Sequence, residues 1–157
     1  MEVLVIAAVV VLDQLSKILT VKLLKPIGTF PIIEDVLHLT YVENTGASFG
    51  ILKDHRWVFM TVSTVAILAI LILLIVWRDR LSPMGGFSMA MIVGGGIGNM
   101  IDRIAYGYVV DMIDFRLIHF AVFNVADSFI VVGTILLAVY VLFFESRNEH
   151  DQTAADC

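Results

Sequence analysis

The chain has a single cysteine, Cys157, at its last position, so no disulfide can form within it. Basic residues are scarce as well. Ten Lys and Arg against fifteen Asp and Glu leave a formal charge of −5, with no basic stripe to displace counterions from phosphates, which argues against nucleic acid as a partner. The four histidines, His38, His55, His119 and His150, lack the paired spacing that puts two ligands on one helix face. No metal and no other cofactor is expected. Charged residues of all kinds make up only 16% of the chain, while 59% is hydrophobic and the mean hydropathy is +0.93. At 157 residues the chain has too much surface to hide that apolar area in a soluble core. Lipid is therefore the expected solvent, and membrane lipid an expected partner.

A membrane span needs about 20 predominantly apolar residues. Four segments qualify, at about 3–20, 57–77, 84–101 and 120–144, which predicts one integral membrane domain over 1–157. The second has no charge and carries Trp57 and Trp77 at its ends, where amphipathic rings prefer the interface; Arg78, Asp79 and Arg80 close it. The first has an apolar run as long as the core of a secretory signal peptide. However, Glu2 is acidic, and the run leads into Asp13-Gln14-Leu15-Ser16-Lys17 instead of a small-residue cleavage site, so an uncleaved span is expected. The third spaces Ala90, Gly94 and Gly98 four apart, which lets helices approach closely. Residues 145–157 read as a polar, disordered tail.

Between the first two spans, Leu37, Leu39 and Tyr41 alternate with His38, Thr40 and Val42, predicting a small β element over about 26–52. Four spans put both termini on one side and the loops 22–56 and 103–119 on the other. Lys22, Lys25, Lys53 and Arg56 in the long loop outnumber Arg78, Arg80 and Arg147, so a raw positive-inside count turns the termini outward.

Ionisable groups in spans cost a few kcal/mol each on insertion scales and so need a specific reason. Here they gather at one level. Asp13 and Lys17 end the first span, Asn99, Asp102 and Arg103 the third, Asp111 and Asp114 follow it, and Asn124 and Asp127 open the fourth. Asn99 and Arg103 are four apart and Asn124 and Asp127 three apart, so each pair shares a helix face and can line one pocket. Asp13 and Lys17, also four apart, can pair. Two carboxylates in a low-dielectric site share one proton, so that one accepts a proton from water while the other donates to a carbonyl. That is aspartic-peptidase chemistry. No serine has a His and Asp placed by motif as base and orienter, and Cys157 is in the tail. An ion or proton transporter would call for internal repeats or carboxylates near the midplane, and neither is found. A non-catalytic scaffold would explain the glycines but not two aspartates in one pocket.

Four blocks in order carry a family resemblance. They are Asp13-Gln14-Leu15-Ser16-Lys17, Asn44-Thr45-Gly46-Ala47-Ser48-Phe49-Gly50, the glycine-rich run from Gly94 to Arg103 continued by Gly107-Tyr108-Val109-Val110-Asp111, and Phe123-Asn124-Val125-Ala126-Asp127-Ser128. Together they resemble the bacterial lipoprotein signal peptidases (signal peptidase II). The resemblance implies an all-α membrane protein with four transmembrane helices, cytoplasmic termini and a small extracytoplasmic β-cradle, in the bacterial inner membrane, against the raw charge count. It implies an aspartic endopeptidase that removes the signal peptide from diacylglyceryl-modified prolipoproteins just before the lipidated cysteine, with its active site near the extracytoplasmic face. The dyad it implies is Asp111 and Asp127. Asn44, Gly46, Asn99, Arg103 and Asn124 would contact substrate or support the dyad, and Asp13, Gln14 and Lys17 would be structural. Two departures stand out: Ser48 replaces a usual alanine, and Met112 stands where many members have Phe. The second leaves Asp114-Phe115 as another candidate. If 109–115 is extended, Asp111 and Asp114 point to opposite faces; if it is helical, both reach one face.

Overall fold

The computed structural model describes residues 1–46 and 56–145. Ala47 to Gly50 of the second block, Lys53, His55 and the tail with Arg147, His150 and Cys157 lie outside the described residues. Four helical segments are long and apolar enough to cross a membrane, Glu2–Leu23, Trp57–Val76, Pro83–Ala105 and Val125–Phe143. They are built by α1 (Glu2–Leu23), α2 (Arg56–Val76), α3 (Pro83–Ala105) and α4 (Val125–Tyr140), the last continued by a π-helical turn at Val141–Glu145. Three strands, β1 (Thr29–Ile33), β2 (Leu37–Asn44) and β3 (Val109–Phe115), form an antiparallel sheet in the order β1-β2-β3.

The glycine-rich α3 is the central helix and packs against α1, α2 and α4. Its start is set by Ser82, which accepts the Gly85 N–H at 3.0 Å, and by Pro83 in the first turn, where a missing N–H costs nothing. Close approach is why two of its glycines are required. A Cβ at Gly95 would lie 2.5 Å from the Ala126 carbonyl oxygen of α4, and one at Gly98 would lie 2.5 Å from Asp13 Oδ2 of α1. By contrast α2 rests chiefly on α3, and none of its residues from Trp57 to Val76 is buried. Val62, Val65, Leu68, Ile72 and Ile75 are exposed, as are Leu4, Leu12, Leu15 and Leu19 of α1. Such a surface suits hydrocarbon and not water.

The sheet sits on α1 and α3 and is fastened by a core of Leu24, Val110 and Met112, against which Leu39, Tyr41 and Ile113 pack. β3 is the strand a reading of the long loop alone does not supply, since it comes from the second loop. It is extended, with Leu39 opposite Ile113, His38 opposite Asp114, and Val42 opposite Asp111, and a bulge lies between Leu39 and Val42.

Three span limits differ from the apolar runs. α1 continues to Leu23, past the expected end at Thr20, and Asp13 and Lys17 lie within it, buried against the bundle. α3 continues to Ala105, past the expected end at Ile101, so Asp102 and Arg103 belong to the helix. α4 begins at Val125, later than the run that opens at Phe120, because Phe123 is taken up by the sheet: its N–H and C=O bond Ile113. Its ring stacks on Phe115 and meets Phe120 edge-on, with centroids 5.9 and 5.7 Å apart.

Candidate active site

The N-terminus of α4 builds the first half of the site. Asn124 caps the helix, accepting the Asp127 N–H at 2.8 Å, and Asp127 Oδ2 accepts the Asn124 N–H at 3.3 Å, a reciprocal capping box. The pair predicted to share a helix face is thus a cap, with Asn124 just outside the helix. Its side-chain nitrogen is free to reach away, and donates to Asp111 Oδ1 at 2.6 Å and to Asn99 Oδ1 at 3.0 Å.

The second half comes from β3 and β2. Asp111 is 1% exposed. Its other oxygen accepts from Asn44 Nδ2 at 2.9 Å, while Asn44 Oδ1 accepts the Gly46 N–H at 3.0 Å, so both ends of that amide are committed. Burial pushes the Asp111 carboxyl up from its ordinary 3.8 to about 6. The Asn44 hydrogen bond opposes that rise, the Asp127 charge adds to it, and Asn124 and Lys17 oppose it. Asp114 bonds elsewhere, to Thr40 and Arg116.

α3 supplies the remainder. Asn99 Nδ2 donates to Asp127 Oδ1 at 2.7 Å. One turn on, Arg103 reaches the Gly46 carbonyl at 3.5 Å, lies over the Phe59 ring at 5.5 Å, and extends its positive field to Asp127, Asp111 and Asp102. Asp111, Asp127, Asn44, Gly46, Asn99, Arg103 and Asn124 are therefore brought together.

Beneath them, Asp13, Gln14 and Lys17 form a buried polar layer with one residue the site assignment omitted, Asp102. Lys17 Nζ lies 2.9 Å from Asp13 and 3.1 Å from Asp102, and Gln14 Nε2 lies 3.1 Å from each carboxylate. Asp102 is 1% exposed and holds the Val110 N–H at 3.0 Å. Its signal in the sequence is a carboxylate at the same level as Asp13 with a single buried lysine to share. Among the described residues no group of three His, Cys, Asp or Glu side chains is placed to hold a metal ion.

A bundle of four lipid-facing helices, capped by a small sheet and enclosing buried aspartates fixed by amides, defines a multi-pass membrane protein with a carboxylate site inside it. A family model described as signal peptidase (SPase) II matches residues 5–143. The chain belongs to the signal peptidase II family and is a peptidase. It is 46% identical over 146 residues to the lipoprotein signal peptidase of Clostridioides difficile (strain 630), covering 93% of this chain and 97% of that one. It is 49% identical over 143 residues to the lipoprotein signal peptidase of Caldanaerobacter subterraneus subsp. tengcongensis, covering 91% and 97%. A solved bacterial membrane enzyme, determined in meso at 2.3 Å, superposes with a TM-score of 0.83 at 31% identity, over 93% of this chain and 90% of the other.

Proposed function

We propose that the chain is an intramembrane aspartic endopeptidase that hydrolyses the peptide bond just before the diacylglyceryl-modified cysteine of a prolipoprotein, with Asp111 and Asp127 as its dyad. The observation that carries this reading is the bridge at Asn124. One residue donates from its side chain to Asp111 at 2.6 Å and from its backbone to Asp127 at 3.3 Å, holding a buried and a half-buried carboxylate to one point. Two such groups share a proton because both cannot ionise cheaply in a dry site. The ionised member takes a proton from water, whose oxygen attacks the scissile carbonyl, and the protonated member gives its proton to the carbonyl oxygen. Collapse of the tetrahedral intermediate breaks the C–N bond, and the departing amine leaves with a proton from the dyad.

The neighbours have matching tasks. Asn44, Asn99 and Asn124 hold the carboxyls in orientation, and Arg103 and Gly46 border the space where a substrate backbone would lie. The lipid-facing helices let a lipidated substrate bring its scissile bond to the site from the bilayer. In this reading 1–157 is one integral membrane domain in the bacterial inner membrane, its termini in the cytoplasm and its site near the extracytoplasmic face. Purified protein should cleave a diacylglyceryl-modified prolipoprotein before the cysteine and leave the unmodified precursor intact. A protein inert on both would sink the substrate assignment, and an active Asp111→Asn enzyme would sink the dyad.

A further inference from the structure

We propose that Lys17, which lies outside the dyad, is a positioning residue: its one ammonium sets how Asp111 and Asp127 sit relative to each other through two ion pairs and one hydrogen bond. The inference rests on reading those two aspartates as the dyad. An ammonium has three N–H donors and no acceptor. In Lys17, 3% exposed, the three acceptors within reach are Asp13 Oδ2 at 2.9 Å, Asp102 Oδ2 at 3.1 Å and Asn99 Oδ1 at 3.0 Å.

Each acceptor leads to an aspartate of the dyad. Asp13 uses its other oxygen to hold the Ala126 N–H at 3.0 Å, and Ala126 is the residue before Asp127. Asp102 holds the Val110 N–H at 3.0 Å, and Val110 is the residue before Asp111. Asn99 accepts from Lys17 and from Asn124 on its oxygen, which turns its nitrogen to Asp127, met at 2.7 Å. The backbone feeding each aspartate is thus fastened to a carboxylate, and the two carboxylates are fastened to one nitrogen. Gln14 braces the same two carboxylates but carries no charge.

A lysine that only pinned α1 to α3 would need a single carboxylate partner. Here removing the ammonium leaves Asp13 and Asp102 buried and facing each other without a cation between them. The cost of an uncompensated buried charge makes them separate or take up a proton, and either moves the two backbone segments they hold. Asn99 also loses one of the two donors that fix its oxygen, keeping only Asn124. The charge itself acts on the site: Asp111 faces the amides of Asn44 and Asn124 and the charges of Asp127, Arg103 and Lys17, and Lys17 holds its carboxyl down.

The test uses full-length Lys17→Met and Lys17→Arg in detergent micelles, assayed on a lipidated prolipoprotein from pH 4.5 to 8.5, with thermal denaturation measured in the same micelles. A dyad misplaced by an ångström loses about 100-fold in rate. Lys17→Met should therefore fold and lose about 100-fold in kcat with KM changed less than about threefold, and its acid limb should move to higher pH. Lys17→Arg keeps the charge but its planar fork cannot meet three converging acceptors, so its acid limb should stay in place while kcat falls at least about tenfold. Folded variants with the parent kcat and pH profile would overturn the proposal. So would activity that falls only in proportion to the unfolded fraction, or failure of both variants to fold, since Lys17 would then be a structural pin. An active Asp111→Asn control would instead remove the dyad reading on which the inference stands.

Discussion

Thr40 Oγ1 donates to Asp114 Oδ2 at 2.8 Å, which ties that carboxylate to the central strand of the sheet while Asp111, three residues earlier in β3, bonds Asn44 and Asn124. Arg116 holds Asp114 as well, at 3.1 Å. Because 109–115 is extended, the two aspartates serve different surroundings. Asp111→Asn and Asp127→Asn should each abolish cleavage while the protein still accumulates in the membrane, and Asp114→Asn should keep most activity. The reverse pattern, read by appearance of mature lipoprotein on a gel, would transfer the role to Asp114.

Stability should carry a signature of Asp111. Its carboxyl ionises near pH 6 in the folded protein against an ordinary 3.8, so as pH rises the unfolded chain sheds this proton first. The folded state loses stability from about pH 4 to pH 6, and the loss levels off at about 3 kcal/mol. The denaturation temperature in detergent should fall across this window more steeply for the parent than for Asp111→Asn, which has no proton to lose. Parallel curves would mean that Asp111 titrates alike in both states.

The close packing on α3 predicts unequal effects of adding one methyl group. Gly95→Ala meets a backbone oxygen of α4 at 2.5 Å, which cannot swing aside, whereas Gly86→Ala meets the flexible end of Glu2 at 3.0 Å. Gly95→Ala should lower stability by about 1–3 kcal/mol and Gly86→Ala by much less. Thermal denaturation of both purified variants checks the order, and equal losses would show that α4 shifts freely.

Orientation is tested by labelling. Glu34, at the turn between β1 and β2, and Asp79, between α2 and α3, are both exposed and lie at opposite ends of the bundle if the spans alternate. With Cys157 replaced by Ser, an impermeant thiol reagent added to intact cells should modify Glu34→Cys and spare Asp79→Cys. Labelling of Asp79→Cys alone would restore the orientation given by the raw Lys and Arg count.

Apolar runs of about 20 residues made the four spans legible, because a helix of that length crosses the hydrocarbon core. The level of the polar groups was legible too, since a carboxylate in a span is costly enough to imply a partner. What the sequence did not carry was connectivity between segments far apart. Nothing in 103–119 announces that Val109 to Phe115 pairs with β2, because sheet partners are chosen by tertiary contact and not by local pattern. Phe120 to Phe123 read as helix for their apolarity, yet Asn124 caps α4 and Phe123 serves the sheet. Asp13 and Lys17 were legible as a pair by their spacing, but not as holders of Ala126 and Val110. Those bonds go from side chains to backbone N–H groups, which look the same at every position in a sequence.

Asp127 ends as a residue with two employments. The oxygen that closes the capping box on Asn124 belongs to the same carboxyl that is proposed to exchange protons with water. The start of α4 therefore cannot fray without dismantling the pair, and every change of protonation at Asp127 is felt by the first turn of the helix. The rest of α4 is apolar and largely exposed, the kind of surface a bilayer would cover. A bilayer that tilted α4 would change the hydrogen bond at its cap, and with it the poise of the carboxyl that the cap shares.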